Sequence, residues 1–215
     1  IMAKRKVFAS IDVHNNTGLN PHYACITKLD NQFLQLATLF TRLVVYFTRP
    51  KGVQCGAFAE ICPAVTLECG KPGQLHGVDH AFEYLNSCLR LSELADRPIP
   101  SQDLNVYHTV AQVKVNKGIN FSFENPQSDL LLDKDLEQMN FTEIPAGTQL
   151  GRVFDQSNLP VTAKAETGEL VTEKFFTLVD KRLQLNKNTM PSMLTLDERV
   201  IEQDCLCYLM EKIKL

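Results

Sequence analysis

The spacing of apolar residues changes period in a regular order along the first hundred residues. Residues 7–13 (VFASIDV) form a short run of apolar and β-branched side chains, closed by polar residues and glycine, and predict a buried strand. Phe33, Leu36, Ala37, Phe40, Leu43 and Val44 recur at helical spacing and predict a helix over residues 31–43. Residues 44–47 (VVYF) and 64–68 (AVTLE) predict two more strands, each followed by a turn containing Pro and Gly. From about residue 78 to 94 the period is helical again, and Val78, Phe82, Leu85 and Leu89 mark the face expected to be buried. Strand, helix, strand and helix in this order predict an α/β layered sheet.

The pattern shifts after Arg97-Pro98-Ile99-Pro100-Ser101, which reads as a linker. Leu104, Val106, His108 and Val110 alternate; Ala111, Val113 and Val115 continue out of phase by one residue, as in a strand with a bulge. Short strand candidates follow at 120–124, 148–154, 159–163 and 174–179. Two domains are therefore expected: residues 1–97, α/β, and residues 101–215, rich in β-structure. The tail reads two ways. Leu206, Leu209, Met210 and Ile213 fit a helix, whereas DCLCYL fits a strand.

Composition narrows the function classes. A chain of 215 residues that is 44% hydrophobic can bury real cores. The net charge of −3 comes from interspersed acids and bases, with no basic stripe for nucleic acid. There is no apolar run of about 18 residues to span a membrane. The seven cysteines include no CxxC pair, which argues against a disulfide framework and for a reducing, cytoplasmic setting. The opening IMAKRK is basic, but the apolar stretch behind it is too short for a signal peptide and runs directly into strand. This start reads as an internal segment of a longer protein.

Two strand ends carry candidate chemistry. Asp12 and His14, two residues apart on a strand, project from the same face at its C-terminal end, where ligands bind in open α/β sheets. A metal-binding imidazole needs an acceptor on its second nitrogen, and Asp12 could serve. On spacing alone a turn is the simpler reading, with Asn15 and Asn16 making side-chain-to-backbone bonds. Glu68 closes the run PAVTLE, where partial burial would raise its pKa and suit acid/base work. A surface pair with Lys71 is the alternative. His76, His80 and Glu83 have helical spacing, but Gly77 interrupts the set, and His80 and Glu83 lie opposite the expected apolar face. A solvent-side pair explains them more simply than a metal set. His22 and His108 are single, the latter on the apolar face of its strand. Cys69 has no histidine partner within reach of sequence reading, so a nucleophilic thiol is not expected. Walker A, GxGxxG and GxSxG motifs are absent.

IDVHNNTGLNPHY, followed some fifty residues later by PAVTLECGKPG, resembles the succinylglutamate desuccinylase/aspartoacylase family of the zinc carboxypeptidase-like superfamily. In that family a strand-end D-x-H-N-[NT]-T motif supplies a zinc ligand and a later E-x-G supplies a catalytic glutamate. His14 matches the ligand and Glu68 the catalytic carboxylate, with Asp12, Asn15, Asn16 and Thr17 as positions that support those two residues or bind substrate. FTEIPAGTQLG at 141–151 is similar to the family's C-terminal domain. The resemblance implies the C-terminal part of a three-layer, zinc-carboxypeptidase-like mixed sheet over residues 1–97, then a β-rich domain. It also implies Zn²⁺-dependent hydrolysis of the amide bond of a small N-acyl amino acid or similar substrate.

One part of the family pattern is missing. Its other two zinc ligands come from an H-x-x-E turn upstream of D-x-H, and none of the eleven residues before Asp12 is His or Glu. One histidine cannot hold a catalytic zinc. The chain is thus expected to be a fragment of a larger enzyme, active only with that segment. The alternative is a binding or scaffold module from a degenerate homologue that has lost its zinc. A sheet lacking strands would expose apolar edges and favour homo-oligomers.

Overall fold

The computed structural model describes residues 7–154 and 158–214. The basic opening IMAKRK lies outside the described residues. The chain is a mixed α/β protein dominated by sheet, and it divides into two compact units. Of the described residues, one comprises 7–16, 21–109 and 212–214; the other comprises 17–20, 110–154 and 158–211. The division thus falls inside a strand, past the Pro-rich stretch at 97–101.

The first unit is built on five strands: β1 (Ser10–His14), β2 (Tyr23–Ile26), β3 (Leu43–Tyr46), β4 (Ala64–Glu68) and the first half of β5 (Asn105–Val115), in the order β1-β4-β2-β3-β5. β1 and β4 run parallel, β2 is antiparallel to β4, and β3 is parallel to β2 and β5. Every residue of β4 is buried, as expected for a short continuous apolar strand with neighbours on both sides.

The sheet is covered on both faces. Alternation sends Ala24, Ile26, Val44, Val65 and Leu67 to one side, where they share a core with Phe33, Leu36, Ala37, Ala81 and Tyr84. Those last five lie on α1 (Asn31–Thr38) and α3 (Leu75–Leu89). The Tyr84 hydroxyl ties the two helices by donating to the Leu36 carbonyl at 3.2 Å. Ser10, Asp12, Thr66 and Glu68 point the other way, over α2 (Gln54–Phe58), whose Gln54 amide donates to Ser10 Oγ at 3.2 Å.

α1 ends five residues earlier than its apolar period predicts, because Leu43 and Val44 belong to β3. The larger departure is in α3. The face predicted to be buried, Val78, Phe82, Leu85 and Leu89, is exposed, and the helix instead buries Gly77, Ala81, Tyr84 and Cys88. Gly77 is the reason: a Cβ there would sit 2.1 Å from the Cys69 carbonyl oxygen, so only glycine lets the helix approach the strand end so closely. The small-residue stripe packs, and the larger apolar stripe is left outside.

The second unit has its own core, including Leu130, Leu132, Leu136, Phe176 and Leu183. A five-stranded sheet has the order β10-β11-β8-β7-β6, from β6 (Phe121–Ser122), β7 (Leu130–Leu132), β8 (Gln149–Val153), β10 (Phe176–Val179) and β11 (Arg182–Leu185). The second half of β5 pairs with β9 (Val161–Ala165). The burial phase of β5 slips between Val106 and Thr109, close to the predicted bulge. The ambiguous tail contains both elements: helix α5 (Glu198–Gln203; the short α4 is Thr172–Phe175), then strand β13 (Cys207–Ile213). β13 pairs with β12 (Met190–Ser192).

Candidate functional site

The parallel register of β1 and β4 aligns Asp12 with Thr66 and His14 with Glu68. Partners in a ladder project to the same face, so both pairs rise from one side of the sheet at the C-terminal strand ends. β2 extends each row: Tyr23 pairs with Glu68 and Cys25 with Thr66. The rows His14–Glu68–Tyr23 and Asp12–Thr66–Cys25 thus bring together residues separated by more than fifty positions in the chain.

Within this array the His14 ring is in hydrogen-bonding contact with the Asp12 carboxylate. His14 Nε2 lies 3.0 Å from Asp12 Oδ1, which leaves Nδ1 as the nitrogen for an external ligand. Asp12 Oδ2 in turn accepts from the Thr66 hydroxyl at 3.4 Å. The His14 side chain is half exposed, whereas Glu68 is 7% exposed. Burial pushes the Glu68 pKa above the ordinary carboxylate range; the Asn16 hydrogen bond and His14 oppose that rise, and the Asp12 charge adds to it.

The asparagines hold the strand ends together. Asn16, itself buried, donates through Nδ2 to Glu68 Oε2 at 3.1 Å. Asn15 Nδ2 and the Asn16 backbone N–H both donate to the Gly70 carbonyl at 3.1 Å, and Cys69 N–H donates to the His14 carbonyl at 2.9 Å. Gly70 accepts this geometry at φ +80°, a left-handed conformation that favours glycine. Thr17, the last matched motif residue, is exposed and opens the segment 17–20 that belongs to the second unit.

The cysteines here are thiols rather than nucleophiles. Burial raises Cys25 well above its ordinary value, with Glu68 and Cys55 adding to the effect, and it pushes Cys69 up to about 11. All seven cysteines are free.

A second cluster lies beside Gly70. His80 does not face solvent as predicted. Its Nε2 is 2.8 Å from the Phe40 carbonyl, its ring stacks on Phe40, and its Nδ1 is 2.7 Å from His22 Nδ1. Donation of Nε2–H to Phe40 leaves His80 Nδ1 as an acceptor, so His22 donates through Nδ1–H and its buried Nε2 carries a lone pair. His76 stacks on His22 with ring centroids 5.2 Å apart. The close His22–His80 nitrogens are taken up by each other, and among the described residues no group of three His, Cys, Asp or Glu could hold a metal, so this trio is not a metal set.

Metal fit follows from the donor set. His14 with Asp12 behind it could supply one ligand, but the described residues contain no group of three His, Cys, Asp or Glu able to hold a metal ion. They do not fit a whole catalytic zinc site. Tyr23, which sequence reasoning missed, lies buried beside Glu68 in the same row. Its signal was the short apolar run YACI, which becomes informative only once β2 is known to pair with β4.

No protein-family profile matches the sequence, and no curated protein matches it. Solved structures do. Murine aminoacylase 3 matches with a TM-score of 0.54 and 13% identity over 96% of this chain and 63% of its own. A succinylglutamate desuccinylase/aspartoacylase from Rhodobacter sphaeroides matches at 0.53 and 11% identity, over 97% and 60%. A succinylglutamate desuccinylase from Vibrio parahaemolyticus matches at 0.51 and 14%, over 95% and 53%. The chain spans less than two thirds of the length of each of these structures. Across nearly all of its described length, the chain has the fold of the succinylglutamate desuccinylase/aspartoacylase family.

Proposed function

We propose that this chain carries part of the active site of a hydrolase that cleaves the amide bond of a small N-acyl amino acid. The observation that supports this most is the pairing of His14 with Glu68, with the Glu68 carboxyl buried and held by Asn16. A buried carboxylate with a raised pKa is suited to taking a proton from the water that attacks an amide carbonyl. It can then deliver that proton to the leaving amine, so that C–N cleavage yields a carboxylate and a free amine. Asn16 aims the carboxyl, and Asp12 orients the His14 ring.

Zn²⁺ belongs to this reading as an expectation. His14 would be one ligand, and the others would come from outside the described residues. A cytoplasmic location is also proposed, on the strength of the seven free thiols. Among the described residues no helix is long and apolar enough to cross a membrane.

The test is hydrolysis, by the full-length protein, of a panel of N-acyl amino acids that vary in acyl group and side chain. Release of free amino acid from at least one member supports the reading. A well-folded full-length protein that binds zinc and cleaves none of them contradicts it.

A further inference from the structure

The outer stripe of α3 runs Leu75, Val78, Phe82, Leu85, Leu89, at spacings of 3, 4, 3 and 4 residues. That is the heptad pattern of a helix-pairing seam. Leu75 is 78% exposed, Val78 63%, Phe82 66% and Leu89 84%. A contiguous apolar strip of this kind on a helix already folded against its sheet marks an interaction surface.

The stripe is also its own complement. Measured from Phe82, its members lie at −7, −4, +3 and +7. In an antiparallel pair related by a two-fold axis through Phe82, Leu75 meets Leu89 of the second copy and Val78 lies beside its Leu85. We infer that α3 pairs antiparallel with α3 of a second copy of this chain, with Phe82 packing on Phe82 at the axis.

Charge and area agree. None of the five seam residues is charged, and the flanking Asp79 comes opposite Asn86 of the second copy, so no like charges oppose. Covering the five side chains would remove on the order of 600 Å² from each chain, near the ~800 Å² per partner of a standard interface. Because α3 is held by Gly77, Ala81, Tyr84 and Cys88, pairing orders no new backbone. The contact is isologous and closes on itself, which gives a dimer rather than a filament.

Sedimentation velocity on the full-length protein should show a dimer at micromolar concentration. Phe82→Glu should weaken it by at least a factor of about 100 while leaving the circular dichroism spectrum unchanged. Should Phe82→Glu fail to fold, cross-linking gives the answer on milder variants. With a short bis-maleimide, Phe82→Cys should link to itself, whereas Leu75→Cys should link to Leu89→Cys in a mixture and not to itself. The native cysteines give little background, being buried or partly buried. A monomer throughout the micromolar range, as expected if another segment of a longer protein covers the stripe, overturns the proposal. So does a dimer in which Phe82→Cys does not link.

Discussion

Asn16 and Glu68, fifty-two positions apart, form a buried hydrogen bond of 3.1 Å between the Asn16 amide and a carboxylate oxygen. It is the direct link between the His-bearing motif at the end of β1 and the carboxylate at the end of β4. Removing its donor by Asn16→Ala leaves that oxygen buried without its partner. A loss of about 1–3 kcal/mol in stability is expected, measured by urea denaturation. Since this bond lowers the Glu68 pKa, the acid limb of any pH–rate profile should also move to higher pH in the variant.

Glu68 itself is held at the expense of stability. Its folded pKa is raised, chiefly by burial, so folding favours the neutral acid, and the fold loses stability as the pH rises through that pKa. Glu68→Gln keeps an acceptor for Asn16 and carries no charge. It should stabilise the protein at neutral pH. The advantage should shrink in acid, where the wild-type side chain is neutral too. Thermal melts across the acid-to-neutral range test this; a Glu68→Gln variant less stable than wild type at neutral pH would count against the buried, raised carboxyl.

His22 should make the fold acid-sensitive. Burial, then His80 and His76, lower its pKa below the ordinary 6.5, so the folded chain keeps it neutral while the unfolded chain takes up a proton. The stability is present above that value and is lost as pH falls toward the folded pKa. Urea midpoints should drop between about pH 7.5 and 5.5, and His22→Gln should flatten that slope.

Gly77→Ala should be disruptive despite the helix preference of alanine. The new Cβ would meet the Cys69 backbone carbonyl, which cannot swing aside as a side chain could. A destabilisation of about 2–4 kcal/mol is expected. The displaced 68–70 turn should lower turnover as well. Alanine at Gly73, where nothing lies within 4 Å, tests only the strain of its positive φ and serves as the control.

These relationships were legible in the sequence to different degrees. β4 was read with its observed bounds because AVTLE is a continuous apolar run with clear stops. His14 and Glu68 were singled out because strand ends concentrate ligand chemistry and both sit beside glycine-bearing turns, and the parallel register does place them side by side. α3 was found, but with the wrong face inward. Both of its stripes have helical spacing, and hydrophobicity favours Leu, Val and Phe over Gly77, Ala81 and Cys88. Close approach to Cys69 decided the matter, and that contact is tertiary. The His22–His80 bond spans fifty-eight positions and leaves no local signature. The short strands β7, β11 and β12 were missed because three or four residues are too few to show a period.

The most direct test compares full-length wild type with Glu68→Gln on whichever N-acyl amino acid is cleaved best, with folding and bound metal checked in both. If the carboxyl at position 68 moves the proton, kcat should fall by a factor of about 10²–10⁴ with fold and metal retained. Turnover equal to wild type in a folded, equally loaded variant would contradict the account.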